Sequence, residues 1–117
     1  MAYKIERFKP HFLLLKQLTV GSGATESFEE TFSDDLIIKH LLIWASDGSD
    51  LYDVLGTITI EDETITHDSV PLELFNTDLD KAIELNWTVR NGEKIKISVT
   101  NNKAADVTLN FIFVIEK

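Results

Sequence analysis

Lys94-Ile95-Lys96-Ile97-Ser98-Val99-Thr100 alternates apolar and polar residues with a period of two. That is the pattern of a half-buried strand, because successive side chains point to opposite faces of a sheet. Towards the amino terminus, Glu84 to Arg90 repeats the pattern with Leu85, Trp87 and Val89 on the inward face. Asn91-Gly92 separates the two runs and predicts a tight hairpin, since both residues tolerate positive φ. Towards the carboxyl terminus, Val107 to Ile115 sets Val107, Leu109, Phe111, Phe113 and Ile115 against Thr108, Asn110, Ile112 and Val114. Its second face also turns apolar near the end, so this strand is expected to be central or covered. With Asn101-Asn102-Lys103-Ala104-Ala105 as a polar turn, the reading is a three-stranded antiparallel meander from about residue 82 to 116.

Further back, Val54 to Glu61 reads as a strand with Ile58 and Ile60 inward and Thr57 and Thr59 outward. Gly56 interrupts it where a bulge or a close backbone approach is expected. Glu61-Asp62-Glu63 is its turn, Thr64 to His67 a short return, and Pro71, Leu72, Leu74 and Phe75 an edge segment before the polar loop from Asn76 to Asp80. Between Ala24 and Ser46 two periods compete: Phe28, Phe32, Leu36 and His40 fall at helical spacing, while Leu36 to Trp44 is dense in β-formers. The favoured reading is two strands split near Ser33-Asp34-Asp35; a single helix from Ala24 to Trp44 would make the chain α+β. Gly21-Ser22-Gly23 links this region to a further β-like run from Phe12 to Val20. Seven or eight short strands close best as a two-sheet sandwich or a barrel, and an all-β, jelly-roll-like antiparallel β-sandwich is the expected fold.

Composition narrows the classes of function. The 117 residues suffice for one core, with 44% hydrophobic and 26% charged residues, so one domain over residues 12–117 is expected behind an N-terminal arm of residues 1–11. The formal charge of -9 repels phosphate backbones and argues against nucleic acid. The absence of cysteine removes disulfides, thiolate metal sites and cysteine nucleophiles. No run approaches the ~20 apolar residues that span a bilayer, and no secretory leader is read, so membrane insertion is not expected and synthesis is placed in the cytosol.

Each candidate chemistry has a plainer explanation beside it. His11, His40 and His67 stand in separate segments without the spacing of a zinc site, and His40 reads as a hydrogen-bonded or sheet-surface residue. Asp47, Asp50 and Asp53 surround Gly48 in Asp47-Gly48-Ser49-Asp50-Leu51-Tyr52-Asp53, a set of hard oxygen ligands suited to calcium. The loop lacks the EF-hand spacing, and the same residues make ordinary turns. Glu61, Asp62, Glu63, Asp78 and Asp80 would serve as a glycosidase pair only if a cleft brought two of them together. No nucleophile-elbow or phosphate-loop motif accompanies them, and an enzyme is not expected. Trp44 and Trp87 read as core, leaving Tyr52 as the aromatic most suited to face a ligand.

The arm mixes Tyr3, Ile5 and Phe8 with Lys4, Arg7 and Lys9, an amphipathic basic segment suited to lie across an acidic neighbouring subunit or to serve as a first strand. In strand rhythm and turn placement, Phe32 to Ser46, Gly56 to Ile60, Pro71 to Phe75 and the run Gly92 to Asn101 resemble small jelly-roll accessory proteins of virus and phage particles: head-decoration, turret and fibre-base subunits. The resemblance covers about residues 24 to 116 and carries no site residues across. It implies a virion-located structural role, in which copies made in the host cytoplasm self-associate and dock on a larger assembly such as a capsid. The competing expectation is a carbohydrate-binding sandwich, calcium-stabilised through Asp47, Asp50 and Asp53.

Overall fold

A computed structural model describes residues 11–66 and 68–117 and converts the two-residue periods into alternating burial. The strands are β1 (His11–Val20), β2 (Thr25–Thr31), β3 (Leu36–Ala45), β4 (Val54–Ile60), β5 (Glu63–Thr64), β6 (Val70–Pro71), β7 (Trp87–Val89), β8 (Lys94–Asn101) and β9 (Val107–Glu116). A front sheet runs β1-β9-β3-β7, and a rear sheet runs β2-β8-β4, with β5 and β6 sharing the far edge of β4. All the ladders are antiparallel. Ile95, Ile97 and Val99 from β8, Val54, Ile58 and Ile60 from β4, and Leu109, Phe111 and Phe113 from β9 meet between the sheets as one core.

The chain changes sheet at nearly every connection and stays in one only through β4, β5 and β6. This gives the sandwich its jelly-roll-like order, and it corrects two expectations. Asn91-Gly92 does form a tight turn, with Gly92 at φ +88 and the Glu93 amide donating to the Arg90 carbonyl. But β7 pairs with β3 and β8 with β2 and β4, so the turn is a corner between sheets and not a hairpin. The meander fails for the same reason, since β8 and β9 lie in opposite sheets. Other expectations hold. Ala24 to Ser46 contains two strands and β9 sits centrally between β1 and β3; β4 does turn back at Glu61-Asp62, but Glu63, expected in the turn, already opens the return strand, which is Glu63–Thr64. β1 already opens at His11, one residue inside the expected arm.

Two local irregularities set what faces outward. At Lys39 the register between β3 and β9 slips by one residue, so Ile38 pairs with Ile115 and His40 with Val114. A one-residue slip reverses the facing of all that follows. Leu41, Ile43 and Ala45 therefore point to the core, while Trp44 points out and is 37% exposed, against the sequence-based placement of Trp44 in the core. At Gly56 the expected close approach is present: a Cβ there would stand 2.5 Å from Cδ2 of the fully buried Leu72. Gly56→Ala is expected to destabilise the fold by ~1–3 kcal/mol through overpacking. Urea unfolding of this variant checks that figure, and an unchanged midpoint would mean that Leu72 has room to move.

Candidate functional site

Three places in the fold present candidate chemistry. The first is the outer face of the front sheet. Its rows follow from the register: Leu15 pairs with Ile112 and Ile112 with Leu42, while Gln17 pairs with Asn110 and Asn110 with Trp44. Thr19 and Thr108 complete the polar end with a 3.0 Å hydroxyl contact, and Gln17 Nε2 donates to Asn110 Oδ1 at 3.1 Å. Leu15 is 65% exposed. None of the ten central outward positions Leu15, Gln17, Thr19, His40, Leu42, Trp44, Thr108, Asn110, Ile112 and Val114 carries Asp, Glu, Lys or Arg, in a chain where 26% of residues do; the next outward position, at the end of β9, is Glu116. Charges lie at the rim instead, where Lys39 Nζ pairs with Glu84 at 3.0 Å and, with Asn86, holds the Glu84 carboxyl below its ordinary pKa. His40 is hydrogen-bonded as expected, its Nδ1–H donating to the Ile83 carbonyl at 3.0 Å.

Beyond Trp44 the segment after β6 rises as a ridge. Leu42 and Trp44 form one wall of a groove of about 590 Å³, and Asn76, Thr77, Asp78, Leu79 and Lys81 form the other. Leu79 and Ile83 on this ridge are about half exposed. The outer face of the rear sheet has the opposite character. Thr25, Ser27, Glu29 and Thr31 of β2 stand beside Lys94, Lys96, Ser98 and Thr100 of β8 and Thr57 and Thr59 of β4, with the half-buried Leu55 the one apolar residue in these rows. Thr25 and Thr100 join through their hydroxyls at 2.8 Å, and Lys94 reaches Glu29 at 3.6 Å. This is the polar exterior usual for a solvated antiparallel sheet.

The second place is a cleft of about 700 Å³ lined by residues of β4, β5 and β7 and the turns beside them. Ile60, Ile65 and the half-buried Trp87 line it together with Glu61, Asp62, Glu63, Asn86, Arg90 and Glu93. The carboxylates around Glu61 to Glu63 thus do share a cleft. Two of its four carboxylates hold turns: Glu61 Oε1 accepts the Lys94 amide at 2.9 Å, and Glu93 Oε1 accepts the Arg90 amide at 2.7 Å. Asp78 and Asp80 lie elsewhere, on the ridge beside the front-face groove and its 3₁₀ turn.

No protein-family model matches the chain, and no curated protein matches its sequence. No helix among the described residues is long and apolar enough to cross a membrane.

The third place is the loop from Asp47 to Asp53. Asp47 Oδ1 accepts both the Ser49 hydroxyl, at 2.6 Å, and the Ser49 amide, at 3.0 Å; these bonds hold the Asp47 carboxyl below its ordinary pKa. Asp50 accepts the Tyr52 amide at 3.4 Å, and the Asp53 carbonyl accepts the Asn102 amide. Among the described residues no group of three or more His, Asp or Glu is placed to hold a metal ion, so Asp47, Asp50 and Asp53 are not drawn into one ligand set. Tyr52 is 64% exposed and stands beside Val70, Pro71, Glu73 and Leu74. Tyr3, Lys4, Ile5, Arg7, Phe8 and Lys9 of the arm, and His67, lie outside the described residues.

Sequence reasoning overlooked the front face as a site, although part of its signal was visible. The second face of β9, with Ile112 and Val114, marks that strand as central or covered. What was missing was the slip at Lys39, which brings Leu42 and Trp44 to the same surface.

Proposed function

We propose that the chain is a non-enzymatic assembly subunit that self-associates and docks on a larger protein particle, in the manner of a virus or phage decoration, turret or fibre-base protein. The observation that carries this is the contrast between the two outer faces. A solvated antiparallel sheet face is normally polar, as the rear one is, whereas an uncharged face with Leu15, Leu42, Trp44 and Ile112 gains from being covered. An acidic body with a basic, apolar amino-terminal segment fits the same role, since the opposite charges attract between copies. Placement in the virion follows from the role.

The test is the solution mass of the full chain by light scattering, repeated without residues 1–10 and with calcium added or chelated. A symmetric oligomer, weakened by the deletion and indifferent to calcium, is the expected outcome. A monomer at every concentration overturns the proposal. A second reading, a carbohydrate-binding module, draws on the cleft, where Trp87 offers an aromatic surface among Asn86, Arg90 and several carboxylates. It predicts a monomer whose Trp87 fluorescence responds to oligosaccharides.

A further inference from the structure

The front face carries more than a tendency to be covered: its relief is self-complementary. Leu15 on β1 is 65% exposed, and it lies on one side of Ile112. Leu42 lies on the other side of Ile112, and with Trp44 it forms the near wall of the groove whose far wall is Leu79. We infer that two copies of this chain pack front sheet to front sheet about a two-fold axis running over Ile112 along β9, so that Leu15 of each copy seats against Leu42 and Trp44 of the other. This inference rests on the self-association reading above and names the surface that performs it.

Three considerations select a second copy as the occupant. A two-fold contact presents the same patch twice, so it needs a knob and a recess placed symmetrically about one line, and Leu15 and the Leu42–Trp44 groove flank β9 in that way. Copies of a chain of charge -9 repel one another least where the meeting surfaces bring no further charges together, and the ten central outward positions from Leu15 to Val114 satisfy that condition. The same neutrality disfavours a cationic segment, which finds no carboxylate among those positions. Three ten-residue strands and the three-residue β7, about 4.8 Å apart with about 3.3 Å per residue, give a face of about 500 Å² per copy. The pair then buries about 1,000 Å², the least area expected of a specific interface. An uncharged apolar centre with Lys39, Glu84, Asp78 and Lys81 at its rim is also the ordinary anatomy of such a contact.

The arrangement makes a prediction that a merely sticky face does not. Leu15→Glu puts a carboxylate against Leu42 of the partner twice per dimer, and Leu42→Lys puts an ammonium group against the partner's Leu15 twice. Each variant alone is expected to weaken dimerisation by ~100-fold or more. Mixed one to one, they restore a dimer containing one chain of each kind, because its two contacts are then one carboxylate–ammonium pair and one unaltered leucine pair. Rescue on mixing also shows that both variants fold.

Sedimentation equilibrium of the full-length chains at about 100 μM, where even a weak interface of this size is occupied, reads all of this directly. The unaltered chain and a rear-face control, Ser98→Glu, are expected to be dimers. If the unaltered chain is monomeric, the self-association reading itself falls. If it is oligomeric but neither front-face variant dissociates it, that reading stands and the front-face inference falls. Dissociation of both variants without rescue on mixing overturns the two-fold arrangement over Ile112.

Discussion

Phe111→Ala is expected to lower the unfolding free energy by ~4 kcal/mol, the largest effect of any single truncation in the core. Phe111 is fully buried in the middle of β9, the strand that pairs on both sides in the front sheet. Its Cα partners are Lys16 in β1 and Ile43 in β3. From the rear sheet, Phe28 meets its ring edge-on at a centroid distance of 5.0 Å and also approaches Phe113 at 6.5 Å. Removing the ring therefore takes away the contact that joins the two sheets at this level and leaves a cavity that fixed backbone ladders on both sides of β9 keep from closing. Phe111→Leu retains most of the volume and is expected to lose less than half as much. Guanidinium unfolding of both variants, at a matched chain concentration because any self-association would add to apparent stability, separates these values. A loss below ~2 kcal/mol for Phe111→Ala would mean that Phe28, on the edge strand β2 and only partly buried, swings in to fill the space.

The contrast between what the sequence disclosed and what it withheld follows the range of the interactions involved. Strand periods are local: Ile95, Ile97 and Val99 are buried along β8, and Val107, Leu109, Phe111, Phe113 and Ile115 along β9, as alternation alone implies. Gly56 is local in the same sense, because an apolar strand rarely contains a glycine without a close neighbour, here Leu72. Pairing is not local. Asn91-Gly92 supplies the φ that a tight turn needs, and a hairpin and a corner between sheets make the same demand; what decides is that the Gly92 amide donates to the Phe32 carbonyl while the Phe32 amide donates to that of Glu93, about sixty residues away in sequence. The site was hidden by the same kind of cause. One extra residue at Lys39 reverses the facing of Trp44, and nothing in Leu36 to Ala45 marks where the slip falls except the pairing with β9. The cleft beside β7 and β5 gathers Glu61, Asp62, Glu63 and Glu93 only because the jelly-roll-like order places those segments side by side.

The same order depends on its corners, and Asn101→Asp tests the most constrained of them. Asn101 is the one buried polar side chain among the described residues. Its Nδ2 donates to the carbonyls of Val20 at 3.0 Å and Ala105 at 2.9 Å, and its Oδ1 accepts the Lys103 amide at 2.9 Å. Its backbone also receives the Gly23 amide and donates to the Ala24 carbonyl, so one residue ties the β1–β2 turn to the β8–β9 turn. Aspartate is nearly the same shape but brings no N–H, so an oxygen faces two carbonyls and a charge is buried with only the Lys103 amide donating to it. The expected loss is ~3–5 kcal/mol at neutral pH. Burial and the facing carbonyls favour the protonated acid, so the folded-state pKa of the new carboxyl rises above its unfolded value of about 3.9. Over the interval between those two values the folded chain binds more protons than the unfolded one, so stability falls as pH rises through it. The deficit relative to the unaltered chain should therefore be smallest below about pH 4 and grow until the folded-state carboxyl ionises. Thermal unfolding of both chains from pH 3 to 8 measures that difference. A deficit independent of pH would show that water reaches the carboxylate, and would contradict the placement of Asn101 as a sealed corner.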